Sequence, residues 1–248
     1  MPYSIDLSGN VAIVTGGVTG LGLAITAILA GAGAQVVMDD IITPEDATPF
    51  LEVLSSCDPV PVHLRYDIGG EEECKALVAE TVSRFGRVDI VVNNAAIARK
   101  PWHKVFDVNV LAQFYLNSAA CEDMKKRQYG KIVNVTTSGV ASGGGDGIEY
   151  NATKGAADSM TRYLGKRYAR DGVNVNAVAP GPTLTDMMRG YYGEEKFHDH
   201  YLPTMPIGRV LIPEDLAKVV LFLCSPLSDA VCGESILADG GRARLNPA

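Results

Sequence analysis

Residues 10–22 read Asn10-Val11-Ala12-Ile13-Val14-Thr15-Gly16-Gly17-Val18-Thr19-Gly20-Leu21-Gly22. The first half is a short β-branched apolar run, the pattern of a strand buried on both faces. Gly16 and Gly17 stop it, and Gly20-Leu21-Gly22 opens an alanine-rich helical stretch over 23–32 that closes at Gly33. Glycines between a strand and a helix permit a tight turn, close approach of a pyrophosphate to the backbone, and close helix packing. The helix N-terminus then faces the anion. A glycine-rich loop alone is weak evidence; an acid ending the next strand gives it weight. Residues 34–38 form a second buried run ending at Asp39-Asp40, and Asp40 lies 18 residues past Gly22. There a carboxylate accepts both hydroxyls of an adenosine ribose. A 2′-phosphate would meet Asp39 and Asp40 as like charges, and no Arg or Lys stands in the glycine turn or at that pair. The cofactor expected is NAD rather than NADP; the competing reading is that the two acids merely terminate a strand.

Outward from that turn, strand and helix patterns alternate. Thr43-Pro44-Glu45-Asp46 starts a helix, with a cap, a proline at the first position and early acids. Residues 60–66 read as a third strand running into Asp67, and 71–85 as an amphipathic helix with a Gly86 stop. Residues 88–92 read as a fourth strand ending at Asn93-Asn94-Ala95-Ala96. A helix is expected over 102–127, a fifth strand over 131–136, and a glycine-rich loop over 139–147 before the helix that carries Tyr150. A sixth strand covers 173–178 and breaks at Pro180-Gly181-Pro182. Residues 183–206, rich in aromatics and charges, read as a mobile lid. A helix over 213–223 and a short strand over 235–238 close the chain before Asp239-Gly240-Gly241. Continuous apolar strands alternating with helices predict a single α/β domain over 1–248: a Rossmann-like, doubly wound parallel sheet with helices on both faces. A TIM barrel competes, but it needs eight units and would not explain the specialised first turn.

The formal charge of -7 argues against nucleic acid as partner, since phosphate binding needs a basic face. Lys125-Lys126-Arg127 closes a predicted helix, where cations complement the dipole. Five scattered cysteines lack any C-x-x-C spacing and read as free thiols in a reducing compartment. No signal peptide is visible at Met1-Pro2-Tyr3-Ser4-Ile5-Asp6, and no apolar run approaches the ~20 residues that span a bilayer. A cytoplasmic protein without membrane attachment is expected.

Tyr150 and Lys154 stand four apart, on one face of the predicted helix. A phenol ordinarily titrates near pH 10, and a nearby ammonium favours its phenolate. Bringing that value to about 7 takes roughly 4 kcal/mol of differential stabilisation. Taken alone, the pair is ordinary amphipathic surface.

The G-x-x-x-G-x-G spacing, with Asn93-Asn94-Ala95-Ala96, Asn109 and Tyr150-x-x-x-Lys154, closely resembles the short-chain dehydrogenase/reductase family over nearly the whole chain. The resemblance implies that Gly16, Gly20 and Gly22, with Thr19 and Leu21 between them, line the pyrophosphate and that Asp40 holds the ribose. It places Asp67 and Ile68 beside the adenine, and Asn93 and Ala95 on the cofactor side of the central strand. Thr183 and Thr185, after Pro180-Gly181, would meet the nicotinamide carboxamide. Tyr150 would be the general acid/base. Lys154 would bind the nicotinamide ribose and lower the tyrosine's pKa, and Asn109 would hold a water on a proton relay. The activity implied is hydride exchange between NAD and a small-molecule alcohol or ketone, in a homotetramer by analogy.

Three features depart from the family's pattern. Ala96 replaces the usual glycine. The stretch between Asn94 and Asn109 is about ten residues short, so 97–101 reaches the next helix directly and leaves one cleft wall more open. The substrate-orienting serine expected 13 residues before the tyrosine is Thr137, with Ser138 one place later; both hydroxyls stay in the site. His198 and His200 lack a third ligand, and no metal is expected. Tyr191, Tyr192, Phe197 and Tyr201 either enclose an apolar or ring-bearing substrate or pack the lid on its neighbours. Rival functions on this scaffold are an epimerase or dehydratase that uses NAD transiently, and a non-catalytic NAD-binding regulator.

Overall fold

A computed structural model describes residues 4–144 and 147–245. Seven parallel strands form one open sheet: β1 (Val11–Thr15), β2 (Gln35–Asp39), β3 (Val62–Leu64), β4 (Ile90–Asn93), β5 (Gly130–Val135), β6 (Val173–Pro180) and β7 (Ser235–Ala238). Their order is β3-β2-β1-β4-β5-β6-β7. The chain runs outward from β1 to β3, then crosses back to β4 on the other side of β1. That reversal makes the β1/β4 junction a topological switch point, where a crevice opens beyond the carboxyl ends of the strands. A closed barrel is ruled out, because β3 and β7 are free edges.

Alternation along each strand divides the core between the two faces. Ala12, Val14, Val36 and Val92 pack with Ile25 and Leu29 of α1 (Gly20–Gly31) and with Leu216 and Val220 of the helix over 213–223. Ile13, Val37, Val91 and Ile132 point the other way, toward Leu77 of α3 (Glu71–Phe85). Each such fully buried aliphatic side chain contributes about 1.5–3 kcal/mol.

Helix α2 (Pro44–Val53) starts where expected, with Thr43 Oγ1 accepting from the Asp46 N–H. The helix expected over 102–127 comes in three pieces: α4 (Trp102–Phe106), a π-helical turn (Asp107–Leu111) and α5 (Ala112–Arg127). The wider turn has Asn109 at its centre; π turns of this kind are frequent at functional sites. After β5 come a short turn, α6 (Gly139–Ser142), and the long α7 (Ile148–Tyr168). Gly145 and Asp146, within the expected glycine-rich loop, lie outside the described residues, as do Met1, Pro2 and Tyr3 of the N-terminal reading. The predicted lid contains α8 (Asp186–Tyr192) and α9 (Glu194–Tyr201), and α10 (Pro213–Leu223) carries Leu216 and Val220. Among the described residues no helix is long and apolar enough to cross a membrane.

Strand β2 ends one residue later than the apolar pattern suggests, because Asp39 pairs with Thr15 in the ladder. That residue separates the two acids. Asp39 is buried, and its carboxylate accepts from the Tyr66 N–H at 3.2 Å. Burial, with Asp40 beside it, raises the Asp39 carboxyl well above its ordinary range. Asp40, half-buried, lies past the ladder. The cysteines are unpaired, and burial pushes the thiols of Cys74 and Cys121 up to about 12, far from thiolate chemistry.

Candidate active site

A cleft of about 460 Å³ follows the carboxyl ends of the strands from β3 to β6. At one end Asp40, Asp67 and Ile68 line it, and at the centre Gly16, Thr19, Gly20, Leu21 and Gly22. Gly22 is required by packing, because a Cβ there would stand 1.8 Å from the Gly16 carbonyl oxygen. Gly20 is required by conformation. Its φ is +53°, a region that L side chains rarely adopt, although a Cβ there would meet only Thr185 Cβ, at 3.8 Å. Thr19 opens α1 without a side-chain cap. The N–H groups of that first turn are therefore offered to an anion in the cleft, with the helix dipole behind them. The turn is pinned from β4. Asn94 Nδ2 donates to the carbonyls of Thr15 (3.0 Å) and Gly16 (3.1 Å), and Thr15 Oγ1 accepts from the N–H groups of Asn94 and Ala95. A glycine cradle, an uncapped helix start and a carboxylate at the next strand end fit a dinucleotide.

Ala95, Ala96, Pro180, Gly181, Thr183 and Thr185 continue the lining toward the other end. Asn93, expected on the cofactor side, faces the interior. Its Nδ2 donates to Asn117 Oδ1 (2.7 Å) and Asn134 Oδ1 (2.8 Å), and the cleft residue of the doublet is Asn94. The doublet is visible in the sequence, but the choice between its members depends on how β4 ends.

Tyr150 and Lys154 meet the cleft from one face of α7. Lys154 is 1% exposed; its Nζ donates to the Val135 carbonyl at 2.7 Å and lies 5.5 Å from the Tyr150 ring centroid. Burial disfavours the ammonium and brings the Lys154 pKa down from 10.5 to about 8. The side chain therefore keeps its charge at neutral pH and loses it as pH rises through about 8. Thr137 and Ser138 both line the cleft. Thr137 is half-buried, and its Oγ1 accepts from the Gly139 N–H, which leaves the hydroxyl hydrogen for an outside acceptor. Ser138 is 3% exposed, and its N–H is tied to the Pro180 carbonyl.

Asn109 is fully buried behind this wall. Its Oδ1 accepts from the Ile97 N–H (2.8 Å), and its Nδ2 donates to the Ile97 carbonyl (2.9 Å) and to Thr153 Oγ1 (3.1 Å). Thr153 Oγ1 donates in turn to the Tyr150 carbonyl. The amide thus joins the shortened 97–101 connection to the turn of α7 that carries Tyr150. On the shortened connection, the Arg99 guanidinium lies 4.3 Å from the Tyr191 ring centroid.

Most of the lid aromatics pack the lid itself. Phe197 is fully buried against Leu184 and Val210, with Tyr192 and Tyr201 beside it. Of the four aromatics only Tyr201 lines the cleft, next to Met187, Met188 and Arg242. Arg242 has no short-range sequence signal: it lies past β7 and reaches the site only through the fold. Its Nε donates to Thr204 Oγ1 at 3.0 Å, and its guanidinium lies 5.6 Å from the Tyr201 ring centroid.

A family model described as enoyl-(acyl carrier protein) reductase matches residues 16–243. The chain is 33% identical to 2-dehydro-3-deoxy-D-gluconate 5-dehydrogenase of Dickeya dadantii, over 96% of this chain and 97% of that one. It is also 33% identical to NADPH-dependent aldehyde reductase 1, chloroplastic, of Arabidopsis thaliana, over 96% and 88% respectively. A crystal structure from Agrobacterium tumefaciens, of a protein provisionally described as a gluconate dehydrogenase, superposes with a TM-score of 0.90 at 30% identity, covering 98% of this chain and 100% of the other. These likenesses run through the glycine turn, the Tyr150 helix and the last strand alike, and the chain belongs to the short-chain dehydrogenase/reductase family, oxidoreductases that bind a nicotinamide cofactor.

Proposed function

We propose that the protein is an NAD-dependent dehydrogenase that interconverts a secondary alcohol and a ketone. The observation that carries this reading is a half-buried tyrosine and a buried lysine, one helical turn apart, in the same cleft as the glycine turn and Asp40. Gly16, Gly20, Gly22 and the start of α1 hold the pyrophosphate, Asp40 the adenosine ribose, Lys154 the nicotinamide ribose, and Thr183 and Thr185 the carboxamide. When bound, the nicotinamide supplies the hydride acceptor or donor. The rest of the chemistry falls to side chains of this chain.

Tyr150 exchanges a proton with the substrate oxygen at its own hydroxyl. The Lys154 ammonium, charged below pH about 8, favours the phenolate form. Asn109 acts as a positioning residue, fixing the helix turn that carries the tyrosine. Thr137 aims the substrate oxygen, because it is the more exposed of the two and its hydroxyl hydrogen is left for an outside acceptor. Thr137→Ala is expected to lower kcat/KM by about 10- to 100-fold, the worth of one hydrogen bond to a developing charge, and Ser138→Ala by far less. The reverse ranking would move the role to Ser138; equal, mild effects would remove both.

The reading is tested by supplying the protein with NAD and a panel of secondary alcohols, polyols, hydroxyacids and sterols and following NADH absorbance. A dehydrogenase accumulates NADH with at least one class. An epimerase or dehydratase converts substrate with no net NADH, and a regulator converts nothing.

A further inference from the structure

We infer that Arg242 is the anion-recognising residue of the substrate site, and that the substrate carries a carboxylate besides its reacting hydroxyl or ketone. The inference rests on the dehydrogenase reading and adds to it a substrate class.

Charge in the cleft is distributed unevenly. Asp40 and Asp67 mark the adenosine end, and Asp186, which also lines the cleft, is paired with Arg189 at 3.1 Å. The cations in the lining are Lys154 and Arg242. Lys154 is buried and already bonded to the Val135 carbonyl. Arg242 is half-buried, with its Nε held by a neutral hydroxyl and its plane against a neutral ring. Among the described residues it forms no ion pair, and its two terminal amino groups donate to no acceptor. A guanidinium fixed at its stem, with its fork unpaired and facing a cleft, is a preorganised receptor for a planar oxyanion.

Position separates this receptor from the cofactor's phosphates. Arg242 follows β7, four strand spacings from β1 and its glycine turn, about 19 Å at ~4.8 Å each. The catalytic tyrosine and lysine follow β5, between β1 with its glycine turn and β7. The anchor is also local to the substrate side of the lid. Thr204 lies where the lid returns to the sheet, next to Ile207, whose N–H bonds the Gly240 carbonyl. The start of the lid, at Thr185, is the part that reaches Gly20. A single unpaired guanidinium balances one negative charge, which suits a carboxylate monoanion better than a phosphate dianion.

The test pairs short and sugar-derived hydroxy-carboxylates with their own primary amides, which keep the skeleton and hydroxyls and lose only the charge. With NAD, the wild-type protein is expected to favour the carboxylate in kcat/KM by about 10- to 140-fold. This corresponds to 1.5–3 kcal/mol for a hydrogen bond to a charged group at ~1.4 kcal/mol per tenfold. Arg242→Met is expected to bring that ratio near one, through KM for the carboxylate, and Arg242→Lys to restore part of it. NADH affinity, read by fluorescence titration, is expected to stay within about twofold in both variants. A structural role in holding Tyr201 and Thr204 would slow both members of each pair equally and leave the ratio unmoved. Wild-type turnover of amides or neutral alcohols in preference to carboxylates, or an unchanged ratio in Arg242→Met, overturns the inference and leaves the dehydrogenase reading intact. Absence of NADH formation with every compound overturns the dehydrogenase reading. The inference is then decided by calorimetric binding of the same pairs to the protein–NADH complex: carboxylate preference lost in Arg242→Met upholds it, and no preference overturns it.

Discussion

Tyr150→Phe is expected to lower kcat by about 10²- to 10⁴-fold, the range supplied by one positioned acid/base, while NADH affinity stays within about twofold. The substitution keeps the ring and removes one oxygen. Lys154 Nζ stays bonded to the Val135 carbonyl, and Asn109 still holds α7 to Ile97 through Thr153, so neither depends on the phenol oxygen. The glycine turn is pinned separately by Asn94. Loss confined to the chemical step is therefore the signature of a proton-transfer role, and it is read from single-turnover rates beside a fluorescence titration of NADH. Turnover equal to wild type would remove Tyr150 from catalysis. Parallel loss of NADH binding would show that the tyrosine holds the cofactor rather than moving a proton.

Asp40→Ala is expected to weaken NAD by about 10- to 100-fold in kcat/KM and to improve NADP, so that the preference reverses. Two carboxylate oxygens accepting from a ribose diol are lost in one case, and a repulsion is removed in the other. The surroundings strengthen the second effect. Arg65, just beyond β3, donates from Nε to the Ile41 carbonyl at 2.9 Å, which puts a cation one residue from Asp40. With the carboxylate removed, that cation stands near the start of the cleft without an opposing charge from residue 40. Asp39 is buried, with its carboxyl accepting from the Tyr66 N–H. The measurement is kcat/KM for NAD and for NADP in both proteins. An unaltered ratio would take Asp40 out of the ribose role. A relative named as NADPH-dependent shares this scaffold, so the choice of cofactor rests on local residues such as these rather than on the fold.

The parts of this protein legible in its sequence are those specified over short range. The β1–turn–α1 unit is specified by glycines whose necessity is steric, and the Tyr150–Lys154 pair by helical period. Element ends shift by a residue or two, as at Asp39, because ladder pairing with Thr15 outweighs the apolar pattern that suggested an earlier stop. What the sequence does not disclose is what depends on distant partners. Asn93 and Asn94 are adjacent and chemically identical, yet one joins a buried amide cluster and the other clamps the glycine turn. Phe197 and Tyr192 look like substrate-facing aromatics until Leu184 and Val210 are seen to bury them in the lid. Arg65 and Arg242 become neighbours of the cleft only through the strand order, which places β3 beside β2 and β7 beside β6. The π turn at Asn109 is likewise invisible in a pattern that reads as one continuous helix.

The central claim is direct hydride exchange between the bound nicotinamide and a carbon of the substrate, with the proton handled by Tyr150. It is tested most directly by reducing a ketone substrate with NADH carrying deuterium at both C4 positions and locating the label in the alcohol product. Deuterium on the carbinol carbon, in one-to-one proportion with NADH consumed, is the result expected. Product with hydrogen from solvent at that carbon, or conversion without net consumption of NADH, would contradict it.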